Sequence, residues 1–265
     1  MTLTKILIPK GKSQIAKTEL DSPKIIAPDG AELSIYVPQN RGELESAWQV
    51  LLDYTKRIAP NPEAALQDLD AIDDVISYHF GRIGYVIFTA VDSNKNPVAI
   101  APAQIAPLYE FARRHPEVKG KAVGFIYQIG HNEQASLNDT NFSVMTKLYD
   151  EATKLLSEIS KYQGDNWLGT VTEARKEGPE LEAIINAGFD VLVPNEFYRP
   201  PAVQQGLVKE EKNLTTDDLV LLTRGMPKGP ELQLAGAEAY LKFAYCKGQD
   251  LSPALKLVRT YFANK

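Results

Sequence analysis

The stretch Trp167-Leu168-Gly169-Thr170-Val171-Thr172-Glu173, followed by Gly178-Pro179, then Ile184-Ile185-Asn186-Ala187-Gly188-Phe189, then Tyr198-Arg199-Pro200-Pro201, decides how the chain is read. The first seven residues form a short apolar and β-branched run ending in a carboxylate, which predicts a buried strand. A proline suits the first turn of a helix, where its missing N–H goes unused, so a helix is expected from Gly178-Pro179 to Ala187-Gly188. Phe189 to Tyr198 predicts the next strand, and Pro200-Pro201 withdraws two backbone donors and ends it. Strand, helix, strand is the local order.

Upstream, Ser143 to Gln163 places Val144, Leu148, Ala152, Leu155, Leu156, Ile159 and Tyr162 at helical spacing, which predicts a helix long enough to cover a sheet. Lys121 to Ile129 predicts a strand with a possible bulge at Gly124, and Pro107 to Pro116 a short helix. Tyr85 to Val91 and Pro97 to Ile105 flank the polar tip 92–96 and predict a hairpin. Leu33 to Val37 reads as a short strand. Asn40 is a candidate N-cap for a helix burying Leu44, Ala47, Trp48, Leu51, Leu52 and Ile58. A second helix is expected from Pro62 to Gly81, with Leu66, Leu69, Ile72, Ile76 and Phe80 on one face. Downstream, Leu219 to Thr223 predicts a final strand, and two helices follow from Pro230. Leu234, Ala237, Leu241, Leu255, Val258 and Phe262 form their apolar face, expected to pack within the chain or else to form a homodimer surface. The expected fold class is α/β in three layers, a mixed central sheet with helices on both faces and a C-terminal helical extension. The expected organisation is an N-terminal extension over 1–30, a main domain over 31–225 and the helical extension over 226–265.

Composition excludes several functions. The chain has 265 residues, 44% hydrophobic and 24% charged, an ordinary globular balance. A net charge of −5, without a basic run, argues against nucleic acid as a partner. The run Lys5-Ile6-Leu7-Ile8-Pro9 is too short for a membrane span or a signal sequence, and no membrane partner is expected. Cys246 is the single cysteine, so no internal disulfide forms and a cytoplasmic location is expected. His79, His115 and His131 lack the spacing of a metal pair, and no metal is expected. Phosphate-binding Gly-rich loops, dinucleotide fingerprints and Gly-x-Ser-x-Gly elbows are all absent.

The element order, and above all Thr170 to Glu173, Ile184 to Phe189 and Tyr198 to Pro201, resembles a bacterial branch of the GNAT superfamily of acyl-CoA-dependent N-acyltransferases. The likeness covers roughly residues 31 to 225, with the clear match confined to about 166 to 202. It implies transfer of an acyl group from acetyl-CoA or a related acyl-CoA to an amine on a small molecule or a protein. It also implies that neighbouring strands near Tyr127 and Trp167 part to leave a slot for the pantetheine arm. On that resemblance the strand from Gly124 to Gly130, through Gln128 and Ile129, holds the acyl carbonyl. Asn138, Thr140 and Ser143, at the start of the long helix, are the candidates for the phosphates; Asn138 and Thr140 are also plain N-cap candidates.

Two departures from the family pattern stand out. The segment 131–140 contains no glycine and carries Glu133 and Asp139, which repel an anion. The tyrosine expected shortly before the Gly-Phe turn is replaced by Ala183 and Ile184, neither of which gives a proton. Glu173 is the candidate base, or the group that orients the substrate ammonium; alternatively it caps Arg175 or the next turn. Tyr127 and Tyr198, expected on strands, are either proton donors or packing residues. His131 either titrates in a site or is an exposed loop residue. The alternative to an enzyme is a catalytically silent protein of the same fold that binds a ligand or partner.

Overall fold

A computed structural model describes residues 25–26, 32–58, 62–63, 66, 69–81, 84–127, 129–132, 142–162, 164–176, 179–198, 219–245 and 250–265. Contacts divide the chain into two compact units, one drawn from Met1–Gln104 and Gln128–Ala152, the other from Ile105–Tyr127 and Thr153–Lys265.

The first unit holds an antiparallel sheet. Its strands β1 (Ile25–Ile26), β2 (Glu32–Tyr36), β3 (Tyr85–Val91) and β4 (Pro97–Pro107, its last three residues in the second unit) pair in that order. The hairpin tip between β3 and β4 is closed by Asp92, whose Oδ1 accepts the N–H groups of Asn94 and Asn96, each at 2.8 Å. Helix α1 (Arg41–Ile58) starts where the sequence places it, because Asn40 Oδ1 accepts the Glu43 N–H at 3.0 Å. It buries Leu44, Ala47, Trp48, Leu51 and Tyr54.

The expected single helix from Pro62 to Gly81 does not form. The chain leaves helical geometry at Leu69, Asp70 and Ala71, and α2 spans only Ile72–Gly81. The Ala71 carbonyl accepts the N–H groups of Asp74 and Val75, and Asp73 and Asp74 lie in the first turn, where the helix dipole favours anions. The restart also changes the buried face. Val75 and His79 point inward, while Ile72, Ile76 and Phe80 stay half-buried.

His79 is therefore a core residue. The Ile87 N–H donates to its Nδ1 at 3.2 Å, which leaves Nε2–H to donate to the Pro38 carbonyl at 2.8 Å. Burial lowers its pKa below the ordinary 6.5, against the Pro38 bond, which raises it. The unfolded chain thus takes a proton that the folded chain refuses, so stability falls as pH drops below about 6.5. Melting temperature is expected to fall between about pH 7.5 and about pH 5.5, and to fall less in the His79→Gln variant. Equal falls in the two proteins would show that His79 titrates freely.

The second unit holds a mixed sheet. Strand β5 (Lys121–Ile126) runs parallel to β7 (Asn166–Arg175), which pairs antiparallel with β9 (Leu219–Arg224), which in turn pairs antiparallel with β8 (Asp190–Val193). In chain order the two-residue β6 (Gly130–His131) comes between β5 and β7, but it belongs to the first unit, where it pairs with β4. The long helix α3 (Phe142–Tyr162) buries Val144, Leu148, Ala152, Leu155, Leu156 and Ile159, as its spacing predicts. Its first eleven residues belong to the first unit and the rest to the second. Helix α4 (Pro179–Asn186) follows β7, and α5 (Pro230–Ala244) and α6 (Ser252–Ala263) close the chain. Ala237, Tyr240 and Leu241 of α5, with Val258 and Phe262 of α6, share a core with Phe125, Val171, Tyr198 and Leu221. Glu238, buried on α5, bonds Arg259 of α6 at 2.6 Å, with Arg114 at 3.6 Å and His115 at 3.5 Å from its other oxygen.

Several local expectations change in this unit. No helix forms over 107–116; Phe111, Ala112 and Arg114 donate to carbonyls three residues back in successive turns, and a 3₁₀ turn follows at Pro116–Val118. The expected bulge at Gly124 lies instead on the facing strand, where Leu168 is the extra residue between Trp167, opposite Ala122, and Gly169, opposite Val123. Gly124 serves another purpose. A Cβ there would come within 2.3 Å of Trp167 Cη2, so the missing side chain makes room for the indole. The strand expected through Tyr198 stops at Val193. Pro194 offers no donor, and Asn195–Phe197 turn as a 3₁₀ segment.

Candidate functional site

Strand β5 is shorter than the sequence predicts, and this shapes the site. Its pairing with β7 runs from Lys121 opposite Asn166 to Phe125 opposite Val171, then ends. Past that point the Thr172 hydroxyl donates to the Ile126 carbonyl at 2.8 Å. Strand β7 continues to Arg175, paired with β9 through Arg175 opposite Leu219. Among the described residues, no strand pairs with the other edge of 172–175. The parting lies at Thr172, five residues further along than Trp167, where it was expected, because Trp167 is still held opposite Ala122.

Glu173 is the second residue of this free edge. Its Oε2 accepts the Tyr198 hydroxyl at 2.7 Å and its Oε1 accepts the Tyr245 hydroxyl at 2.6 Å. Each phenol gives its one proton to one carboxylate oxygen, an arrangement that favours the ionised acid. Burial acts the other way and prevails. It raises the Glu173 pKa above the ordinary carboxylate value, while the bonds from Tyr245 and Tyr198 lower it. Both phenols are pushed well above 10, first by burial and then by the negative charge of Glu173. The result is a half-buried carboxylate of raised basicity, fixed by two donors.

The two tyrosines come from different elements. Tyr198 closes the 3₁₀ turn after β8 and is wholly buried, so it lies on no strand, contrary to expectation. Tyr245 caps the C-terminal end of α5, where its N–H bonds the Leu241 carbonyl, and it is half-exposed. Tyr127 also lies off the strand, one residue beyond β5. It packs half-buried on the core, with its ring 6.4 Å from that of Tyr240.

Of the residues singled out from sequence, the structure joins Glu173 to Tyr198. Arg175 is not the partner of Glu173. Ile129 is fully buried in the first unit. Gln128, Asn138 and Thr140 lie outside the described residues, as does the segment 133–140; Ser143 lies in the first turn of α3. His131 is buried, not exposed. It sits on β6 with its ring 4.7 Å from Tyr54, and burial lowers its pKa. Tyr245 was missed from sequence. It stands 72 residues from Glu173 at a helix end, and no motif or periodicity links the two.

Among the described residues, no group of three or more His, Cys, Asp or Glu could hold a metal ion, and no helix is long and apolar enough to cross a membrane.

No protein-family model and no curated protein sequence matches this chain. Solved structures do. A putative phosphinothricin N-acetyltransferase is 14% identical over 74% of this chain and 99% of its own, with a TM-score of 0.46. The likeness is to GNAT acetyltransferases. A Drosophila melanogaster polyamine N-acetyltransferase is 13% identical over 73% of this chain and 100% of its own, at a TM-score of 0.45. A GNAT-family acetyltransferase from Listeria monocytogenes is 9% identical over 77% and 100%, at 0.43. At these identities and scores the similarity is one of general architecture and carries no conclusion about chemistry.

Proposed function

We propose that this chain is an N-acyltransferase that moves an acyl group, acetyl in the simplest case, from acyl-CoA to an amine. The observation that carries this reading is the edge of β7 at 172–175, paired with no further strand among the described residues, which bears a half-buried carboxylate fixed by two phenols. An unpaired strand edge offers N–H and C=O groups to an extended, amide-bearing arm, as an added strand would take them. That edge therefore fits the pantetheine portion of an acyl-CoA, which would supply the activated acyl carbonyl.

Glu173 has the properties of a base for the acceptor. An ordinary alkylamine has a pKa near 10.4, so only about one in a thousand is neutral at pH 7. A carboxylate of raised pKa takes the ammonium proton more readily than an exposed one, because catalytic bases work best near the operating pH. The neutral nitrogen then attacks the acyl carbon, the carbon–sulfur bond breaks, the nitrogen releases its second proton to solvent as it becomes an amide, and the departing thiolate needs a proton. Tyr127 is proposed as that donor, since the Tyr198 hydroxyl is sealed and committed to Glu173. Cofactor contacts are proposed at Gln128, Ile129, Asn138, Thr140 and Ser143. A small-molecule or protein amine is the proposed acceptor, in a cytoplasmic setting.

A second reading, a silent protein of the same architecture, is favoured by the glycine-free segment 131–140 with Glu133 and Asp139, and by Ala183 and Ile184. Thermal melting with and without acetyl-CoA separates the two. A ligand at a hundred times its Kd adds about 2.7 kcal/mol of stability, so a clear rise in melting temperature is expected. No shift at millimolar acetyl-CoA would overturn the enzyme; a shift without turnover on any of a panel of primary amines would favour the silent binder.

A further inference from the structure

The carboxylate of Glu173 is held from two sides that differ in kind. Tyr198, which follows β8 in the chain, is wholly buried in the core that the sheet shares with α5 and α6. Tyr245 is the residue that caps the C-terminal end of α5, the helix after the final strand, and it is half-exposed. Their bonds to Glu173 are nearly equal in length, 2.7 and 2.6 Å. Without Tyr245, one oxygen of the carboxylate would lose its donor and the group could rotate about its terminal torsion, which is a soft one. The remainder of α5 is anchored independently of this contact. Ala235, Ala237, Ala239, Tyr240 and Leu241 are buried in the core, and Glu238 is tied to Arg259. The hydroxyl of Tyr245 is thus not needed to dock the helix, and the proton it donates goes to Glu173.

We propose that Tyr245 is a positioning residue of the acyl-transfer site, the group by which the C-terminal helices fix Glu173 in its ionised form and aim it at the acceptor. The inference rests on the N-acyltransferase reading and adds that the site is incomplete without α5. It predicts a specific dependence on pH. A donor to the carboxylate favours its charged form, so its removal leaves Glu173 protonated, and inactive as a base, over more of the acid range.

The test uses the full-length Tyr245→Phe protein, with Tyr261→Phe as the control. Tyr261 is a half-buried tyrosine of α6 that stacks on Phe197 and makes no bond to Glu173. Acylation of a panel of primary amines by acetyl-CoA is followed from about pH 6 to about pH 9, together with melting temperature. For Tyr245→Phe, kcat/KM is expected to fall by about tenfold at the acid end and to approach wild type at the alkaline end. The acetyl-CoA melting shift should be kept. The control is expected to follow the wild-type profile throughout. A Tyr245→Phe profile parallel to wild type at all pH values, or loss of the acetyl-CoA shift, would assign the residue a purely structural role and overturn the inference. Should wild type itself acylate no amine and show no acetyl-CoA shift, the acyltransferase reading falls first and takes this inference with it, an outcome distinct from failure of Tyr245 alone. Titration of the Glu173 carboxyl by carbon-13 NMR gives an independent readout: it must move to higher pH in Tyr245→Phe, and an unchanged titration overturns the proposal.

Discussion

Glu173→Gln is expected to lower amine acylation by about a hundredfold, with the acid limb of its pH profile lost and the fold retained. Glutamine has the shape of glutamate and still accepts a phenol hydrogen bond through its one oxygen, but it cannot take a proton from an ammonium group. Its effect on stability has a definite sign. The Glu173 carboxyl has a folded pKa above its unfolded value, so its favourable contribution is present at low pH and is lost as pH rises through the folded value. A neutral glutamine escapes that loss. The variant should therefore melt at or above the wild-type temperature at neutral and alkaline pH, which separates lost chemistry from lost structure. Turnover within a few-fold of wild type would remove Glu173 from the reaction.

The second large effect is expected at Gly169, the residue after the bulge in β7. Its φ is +143°, a conformation that favours glycine, and a Cβ there would come within 2.7 Å of both the Arg224 carbonyl oxygen and the Met226 nitrogen. Those are backbone atoms of β9 and the turn after it, so no side chain can swing aside. Gly169→Ala is expected to cost about 3 kcal/mol from strain and overlap together, or roughly 6–12 °C in melting temperature for a chain of this size. Acylation should fall as well. The extra residue at Leu168 sets which way each later side chain of β7 points, and a one-residue slip turns Glu173 away from Tyr198 and Tyr245. Stability within about 0.5 kcal/mol of wild type would mean that β9 can move away, contrary to the close backbone contact described.

The sequence made most elements legible because their signals are local. Asn40 caps α1, the apolar spacing of α3 fixes its inner face, and the polar tip at 92–96 closes the hairpin. Errors arose where a neighbour in space decided the outcome. Leu69, Ile72, Ile76 and Phe80 have good helical periodicity, yet the chain breaks at 69–71 and turns Val75 and His79 inward, where Pro38 and Ile87 supply partners for the imidazole. Gly124 looked like a bulge because a glycine in a strand has two common causes, and only the position of Trp167 separates them.

The sequence by itself determined that this is an α/β chain, with a carboxylate at the end of an apolar strand, a tyrosine before Pro200-Pro201, and no basic run or cysteine pair. Each of these is a property of consecutive residues, because backbone preference and side-chain period act over a few positions. Only the tertiary structure decided that β5 parts from β7 at Thr172, that Glu173 faces Tyr198, and that a second phenol arrives from α5. Those contacts join residues 25 and 72 positions apart. They depend on how strands and helices pack, and the chain records that packing in no local pattern.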